Sequence, residues 1–128
     1  MNLVPNQAYP DKASWVQVEG IFVNGWIGDG TRFLRLIIDG NNVSVSGRIV
    51  IGSSRRIAGY LPGEFRPPVN QSLPAFIQNG PPCIMELWAD GAIALSFNSL
   101  GMTEAEMLTA YAGRDVYVYG NYPRRGLA

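Results

Sequence analysis

The chain has no histidine, a single cysteine (Cys83) and a single lysine (Lys12). Without histidine, the side chain that most often serves as general base or metal ligand is missing, so Ser–His–Asp and Cys–His arrangements are excluded. A lone cysteine excludes an intrachain disulfide framework and leaves the redox compartment unread. There is no run of about 18 apolar residues and no basic-then-apolar leader, which argues against a membrane span and a signal peptide. Charge is scarce as well: charged residues are 16% of the chain, and ten basic residues balance ten acidic ones. A net charge of zero gives no long-range field to hold nucleic acid or an anionic membrane.

What is abundant is turn chemistry and strand patterning. The 128 residues include 15 Gly and 9 Pro, with 47% hydrophobic residues, which suits one domain with one core. The dominant period is two. Trp15 to Glu19 alternates and runs on through Gly20 into Ile21-Phe22-Val23, and Asn24-Gly25 then signals a turn before Trp26. Phe33 to Ile38 reads as a strand, and Asp39-Gly40-Asn41-Asn42 as a hairpin turn, because Gly and Asn tolerate positive φ. Val43 to Ile51 is the clearest strand, with Gly47 marking a bulge or a close backbone approach. Arg55 to Leu61 reads as another strand, and it runs into a corner, Leu61-Pro62-Gly63-Glu64-Phe65-Arg66-Pro67-Pro68. Proline fixes its own φ and biases the residue before it away from helix, so helix is expected on neither side of this corner.

Beyond the corner, Ser72 to Gln78 reads as a strand that Pro74 restricts to an edge or an irregular start. Cys83 to Ala89 and Ala92 to Phe97 flank the hairpin signal Asp90-Gly91, and Asp115 to Tyr122 closes the series. One helix is expected from Thr103 to Ala112, opened by the capping-box spacing of Thr103 and Glu106 and stopped by Gly113. The pattern predicts an all-β chain, an antiparallel β-sandwich or jelly-roll-like barrel with one short helix near the C-terminus. Residues 1–14 are expected to form an arm, 15–122 the head domain and 123–128 a tail.

Chemistry-bearing residues are sparse, and no enzyme is expected. Asp29, Asp39 and Asp90 sit in Gly turns, where such side chains bond local backbone. Glu104 and Glu106 fall in the first helical turn, and Glu19 and Glu86 are expected to face solvent from strands. Gly28-Asp29-Gly30 is too short for a phosphate loop and no helix follows it. Cys83 reads as a small buried hydrophobe. No catalytic group, metal site or cofactor is therefore assigned. The aromatic residues are the better lead. Trp26 after Asn24-Gly25 reads as a core anchor, whereas Trp88, beside the Asp90-Gly91 turn, is the ring expected to be exposed. Tyr117 and Tyr119 alternate with Val116 and Val118, so valines pointing inward would leave the tyrosines as an outward stripe for a ligand or a subunit. Large aromatics at strand positions are otherwise core residues.

The order of these motifs resembles a known family. Asn24-Gly25-Trp26, then Val43 to Ile49 around Gly47, then the Leu61-Pro62 to Arg66-Pro67 corner, then Leu87 to Ile93 around Asp90-Gly91, looks like a head domain of phage tail appendages. The similarity spans residues 15 to 97. Gly63 precedes Glu64 where the group more often has glycine beside the aromatic residue, and the Thr103 to Ala112 helix falls where strand and loop are the rule. The resemblance implies a β-sandwich or jelly-roll head at the tip of a fibre or baseplate, a homotrimer carried on the virion. It implies adhesion to a host-surface saccharide without chemistry, with Trp88, Asp90 and Asn98 as sugar contacts beside the Tyr117 and Tyr119 stripe. The alternative is a purely structural virion protein, a capsid decoration or tail component that contacts other virion proteins. No nucleic acid and no membrane insertion are expected in either case.

Overall fold

The computed structural model describes residues 14–18 and 21–124. Eight strands form one antiparallel sheet: β1 (Ser14–Val18), β2 (Leu34–Asp39), β3 (Asn42–Val50), β4 (Ile57–Tyr60), β5 (Gln71–Ile77), β6 (Pro82–Leu87), β7 (Ala92–Leu95) and β8 (Asp115–Pro123). Their spatial order is β1-β2-β3-β8-β5-β6-β7-β4, and every pairing is antiparallel. One helix, α1 (Glu104–Tyr111), precedes β8. The chain is all-β with one short helix, as its period-two patterning predicts.

Two short-range hairpins appear where the turn residues place them. Asp39 pairs with Asn42 across a two-residue loop in which Gly40 adopts a φ of 65°. At the β6–β7 turn Gly91 has a φ of 97°, and the Asp90 carboxylate accepts from the Ala92 amide at 3.0 Å. The proline corner does something less local. Strands β5, β6 and β7 are consecutive hairpins, and β4, which precedes them, returns to lie beside β7; this is a Greek key, and residues 61–70 are its long connection. Leu61, Phe65 and Pro67 are buried, so the connection is pinned to the core rather than looped out. Tyr122 of β8 donates its hydroxyl to the Phe65 carbonyl at 2.7 Å, and Arg66 Nε donates to the Leu61 carbonyl at 2.9 Å. Strands β4 and β5 flank the corner, as the prolines predict, and the corner itself holds one 3-10 turn, Gly63–Phe65. A single such turn fits because it needs only the bond from the Phe65 amide to the Pro62 carbonyl.

The sheet curls until its ends approach. Phe22 bridges Gly59 on edge strand β4, and Ile27 bridges Val50 at the end of β3. Residues 21–23 thus make an isolated bridge rather than the continued strand the sequence suggests. The Asn24-Gly25 turn, with φ of 58° and 82°, drops Trp26 into the core at 4% exposure, and its Nε1 donates to the Arg55 carbonyl at 2.8 Å.

One core fills the concave side. Leu34, Leu36, Val43, Val45, Ile49, Leu73, Ala75, Ile77, Met85, Leu87, Val116 and Val118 alternate inward, and Met107 and Leu108 of α1 close one end. Cys83 is buried among them, and burial pushes its thiol up to about 11, as befits an inert hydrophobe. The Thr103 hydroxyl and Glu106 carboxylate form both halves of the capping box, at 3.2 and 2.9 Å. Pro74 sits in an interior strand, yet its missing N–H breaks no ladder. It pairs with Ile84 on one side, and the bonding to β8 on the other side begins only at Ala75.

Candidate functional site

The inward valines leave Tyr117 and Tyr119 on the outer face of the sheet. Val116 and Val118 are 0% and 1% exposed, whereas Tyr119 is 49% exposed and Tyr117 half-buried. Cross-strand pairing sets their neighbours: Tyr117 lies between Arg48 of β3 and Phe76 of β5, and Tyr119 lies opposite Ser46. The Phe76 ring stacks on Tyr117 at 5.4 Å and on Tyr119 at 6.2 Å between centroids, within the range of favourable offset stacking. Phe76 and Ile84, also on this face, remain 46% and 38% exposed.

Beside the rings runs a groove of about 330 Å³, lined by Thr31, Phe33, Arg35, Ser46, Gly47, Arg48, Tyr117 and Tyr119. Gly47 makes it possible. Its φ is 138°, and a Cβ there would run into the Phe33 carbonyl oxygen, so no other residue lets β3 lie this close to the chain before β2. The approach foreseen from the sequence is this contact. The Arg48 guanidinium is 3.2 Å from Asp115 Oδ2 and donates to the Tyr117 hydroxyl at 3.3 Å, a bond that raises its pKa further. Arg32 reaches the other Asp115 oxygen at 4.0 Å and pairs with Asp29 at 3.0 Å. Asp29 also accepts from the Thr31 amide and hydroxyl and from the Arg32 amide, all at 2.9 Å. These bonds, led by that from the Thr31 amide, hold its carboxyl well below the usual carboxylate range. The Gly28-Asp29-Gly30 motif thus builds the rim of the groove.

The other sequence candidates lie elsewhere. Trp88 is half-buried rather than open: its Nε1 donates to Glu86 at 2.9 Å, and the Arg56 guanidinium covers its ring at 5.2 Å. Arg56 also lies 5.0 Å from the Phe97 ring and 3.4 Å from Glu86 Oε1. Glu86, expected to face solvent, is therefore half-buried and engaged twice. Ala94, the pairing partner of Glu86 and so on the same face, is 0% exposed beneath this cluster. Asp90 is spent on its own turn. Asn98 is exposed in a 3-10 turn, Asn98–Leu100, beyond the opposite end of β7 from Asp90. Glu19 and residues 1–13 and 125–128 lie outside the described residues. The structure therefore brings Tyr117 and Tyr119 together and leaves Trp88, Asp90 and Asn98 apart from them. Arg35, Arg48 and Phe76 were missed from the sequence. Register across β2, β3, β8 and β5 makes them neighbours of the tyrosines, and no local pattern announces that pairing.

No family model matches the chain, and no curated protein is found similar to it. A match is found among solved structures. The receptor-binding protein (gp15) of Listeria phage PSA superposes with a TM-score of 0.62 at 18% identity, over 94% of this chain and 71% of that one. The fold is similar to that of a phage receptor-binding protein. At this identity the likeness establishes a shared fold and leaves the ligand to be argued from the residues.

Proposed function

We propose that this chain is a receptor-binding head of a phage tail, carried at the tip of a fibre or baseplate, that adheres to a host-surface saccharide and does no chemistry on it. The observation that carries this reading is the likeness to a phage receptor-binding protein across 94% of the chain. The groove beside Tyr117 and Tyr119 supports it, because exposed phenol rings offer flat apolar faces to sugar rings while Ser46, Thr31 and Arg48 supply polar contacts. Phe76 and Ile84 extend the same face as an apolar strip suited to another copy of the chain, in keeping with a homotrimer.

The test is adhesion. Fluorescently labelled protein should decorate host cells, lose that signal when the surface polysaccharide is stripped, and lose most of it in Tyr117→Ala/Tyr119→Ala. Unchanged decoration by the double variant would move the site away from the groove. Failure of the folded protein to bind cells at all would favour the second reading, a structural virion protein that uses the Phe76–Ile84 strip to contact other virion proteins.

A further inference from the structure

The two tyrosines of the groove are flanked differently. Tyr117 has a long side chain beside it on each neighbouring strand, Arg48 of β3 on one side and Phe76 of β5 on the other. The Phe76 ring stacks on it at 5.4 Å and the Arg48 guanidinium carbon lies 5.9 Å from its centroid, so the protein itself occupies both sides of this ring. Tyr119 has only Ser46 opposite it on β3, a side chain too short to cover a ring, and the pairing of β8 with β5 stops at Val118. Its ring therefore stays 49% exposed. What Tyr117 has left to offer is its hydroxyl. A guanidinium carries donors and no acceptor, so the phenol oxygen must accept the 3.3 Å bond from Arg48 Nη1, and the phenol's own proton points elsewhere. Among the described residues that hydroxyl makes no second hydrogen bond. Arg48 is held in turn: the same Nη1 lies 3.2 Å from Oδ2 of Asp115, whose side chain is only 12% exposed.

We infer that the tyrosines divide the groove between them: Tyr119 supplies the face on which a sugar ring stacks, and Tyr117 supplies a hydrogen-bond donor, its hydroxyl, to an acceptor oxygen of that sugar; this rests on the receptor-binding reading. Arg48 and Asp115 are positioning residues. By filling the acceptor side of the phenol oxygen, Arg48 turns the hydroxyl proton out into the groove that Tyr117 lines, and Asp115 fixes Arg48 from beneath. A hydroxyl preset as a donor also discriminates, because a group that can only donate finds no partner there. A sugar hydroxyl meets the requirement, whereas an ammonium substituent, with donors alone, does not.

The test is host-cell adhesion by the full chain, with thermal unfolding of each variant as the control for folding. Tyr117→Phe keeps the ring and removes the donor, so adhesion should weaken about fivefold while the protein stays folded. Tyr119→Phe keeps the stacking face and should stay within about twofold of the parent chain. Arg48→Met should weaken adhesion about threefold, and most of that loss should vanish in the Tyr117→Phe background, because the hydroxyl it acts through is gone. Should Arg48→Met fail to fold, Asp115→Asn runs the same cycle. Equal adhesion by Tyr117→Phe and the parent chain overturns the donor role and leaves the receptor reading standing. A loss from Tyr119→Phe as large as that from Tyr117→Phe overturns the division between the rings. The same loss from Arg48→Met in both backgrounds overturns its positioning role. A folded parent chain that binds no host cell overturns the receptor reading and this inference with it.

Discussion

Two aromatic clusters on the outer surface of this sheet are built from the same parts and end differently. At the β6–β7 turn, Arg56 pairs with Glu86 and lies over both Trp88 and Phe97, at 5.2 and 5.0 Å. At the centre of the sheet, Arg48 pairs with Asp115 and sits 5.9 Å from Tyr117 alone. In the first cluster the cation is spent covering rings and burying Ala94. In the second, Tyr119 and Phe76 stay about half exposed beside a groove. The lesson is that the number of rings does not make a binding face; what matters is how much ring surface the protein's own side chains leave uncovered.

That contrast can be broken at three levels. The largest effect is expected from Gly47→Ala, which drives a Cβ into the Phe33 carbonyl at a φ of 138°. A loss of about 3 kcal/mol is expected, read as a fall of roughly 10 °C in thermal unfolding, because backbone rather than a flexible side chain must yield. An unchanged melting temperature would mean that the groove is not held by this contact.

The comparison itself is tested by a pair of substitutions. Trp88→Ala should cost about 2 kcal/mol by uncovering the β7 face, with cell adhesion by the remaining folded protein preserved. Tyr119→Ala should change stability by no more than about 0.5 kcal/mol yet weaken adhesion about tenfold, the equivalent of 1.4 kcal/mol of stacking. The reverse outcome, with Trp88 governing adhesion and Tyr119 governing stability, would exchange the roles of the two clusters.

The smallest effect is a pH response confined to the groove rim. The pKa of Asp29 lies below its ordinary 3.8, so the ionised form supports the turn above that value and its contribution is lost as pH falls further. Protection of the Thr31 and Arg32 amides, measured against the intrinsic exchange rate at each pH, should hold from pH 8 down to about 4 and fall below that, with Asp29→Asn poorly protected throughout. No such response is expected at the Leu61 and Trp88 amides, which bond to the backbone carbonyls of Gly91 and Ala92, and a matching loss of protection there would report general acid unfolding.

Much of the fold could be read in the chain because it depends on local rules. Turn pairs such as Gly40-Asn41 and Asp90-Gly91, the Thr103–Glu106 capping box and the alternation of β8 act over two to four residues, and each lies where its pattern puts it. Trp26, Cys83 and the outward phase of Tyr117 and Tyr119 follow from the same rules. Trp88 did not, because nothing local announces that Arg56, 32 positions earlier and just ahead of β4, will cover it. Glu86 was misjudged for the same reason.

The sequence by itself determined an all-β chain without histidine chemistry, with one capped helix and two tyrosines phased away from the core. Alternation and turn geometry are properties of neighbouring residues. Only the tertiary structure decided that the proline corner is a Greek-key connection, that Gly47 lies against Phe33, and that Arg35, Arg48, Tyr117 and Tyr119 meet in one groove. Those facts depend on strand order and register, which join residues such as Arg48 and Tyr117, 69 positions apart, and no local pattern encodes that pairing.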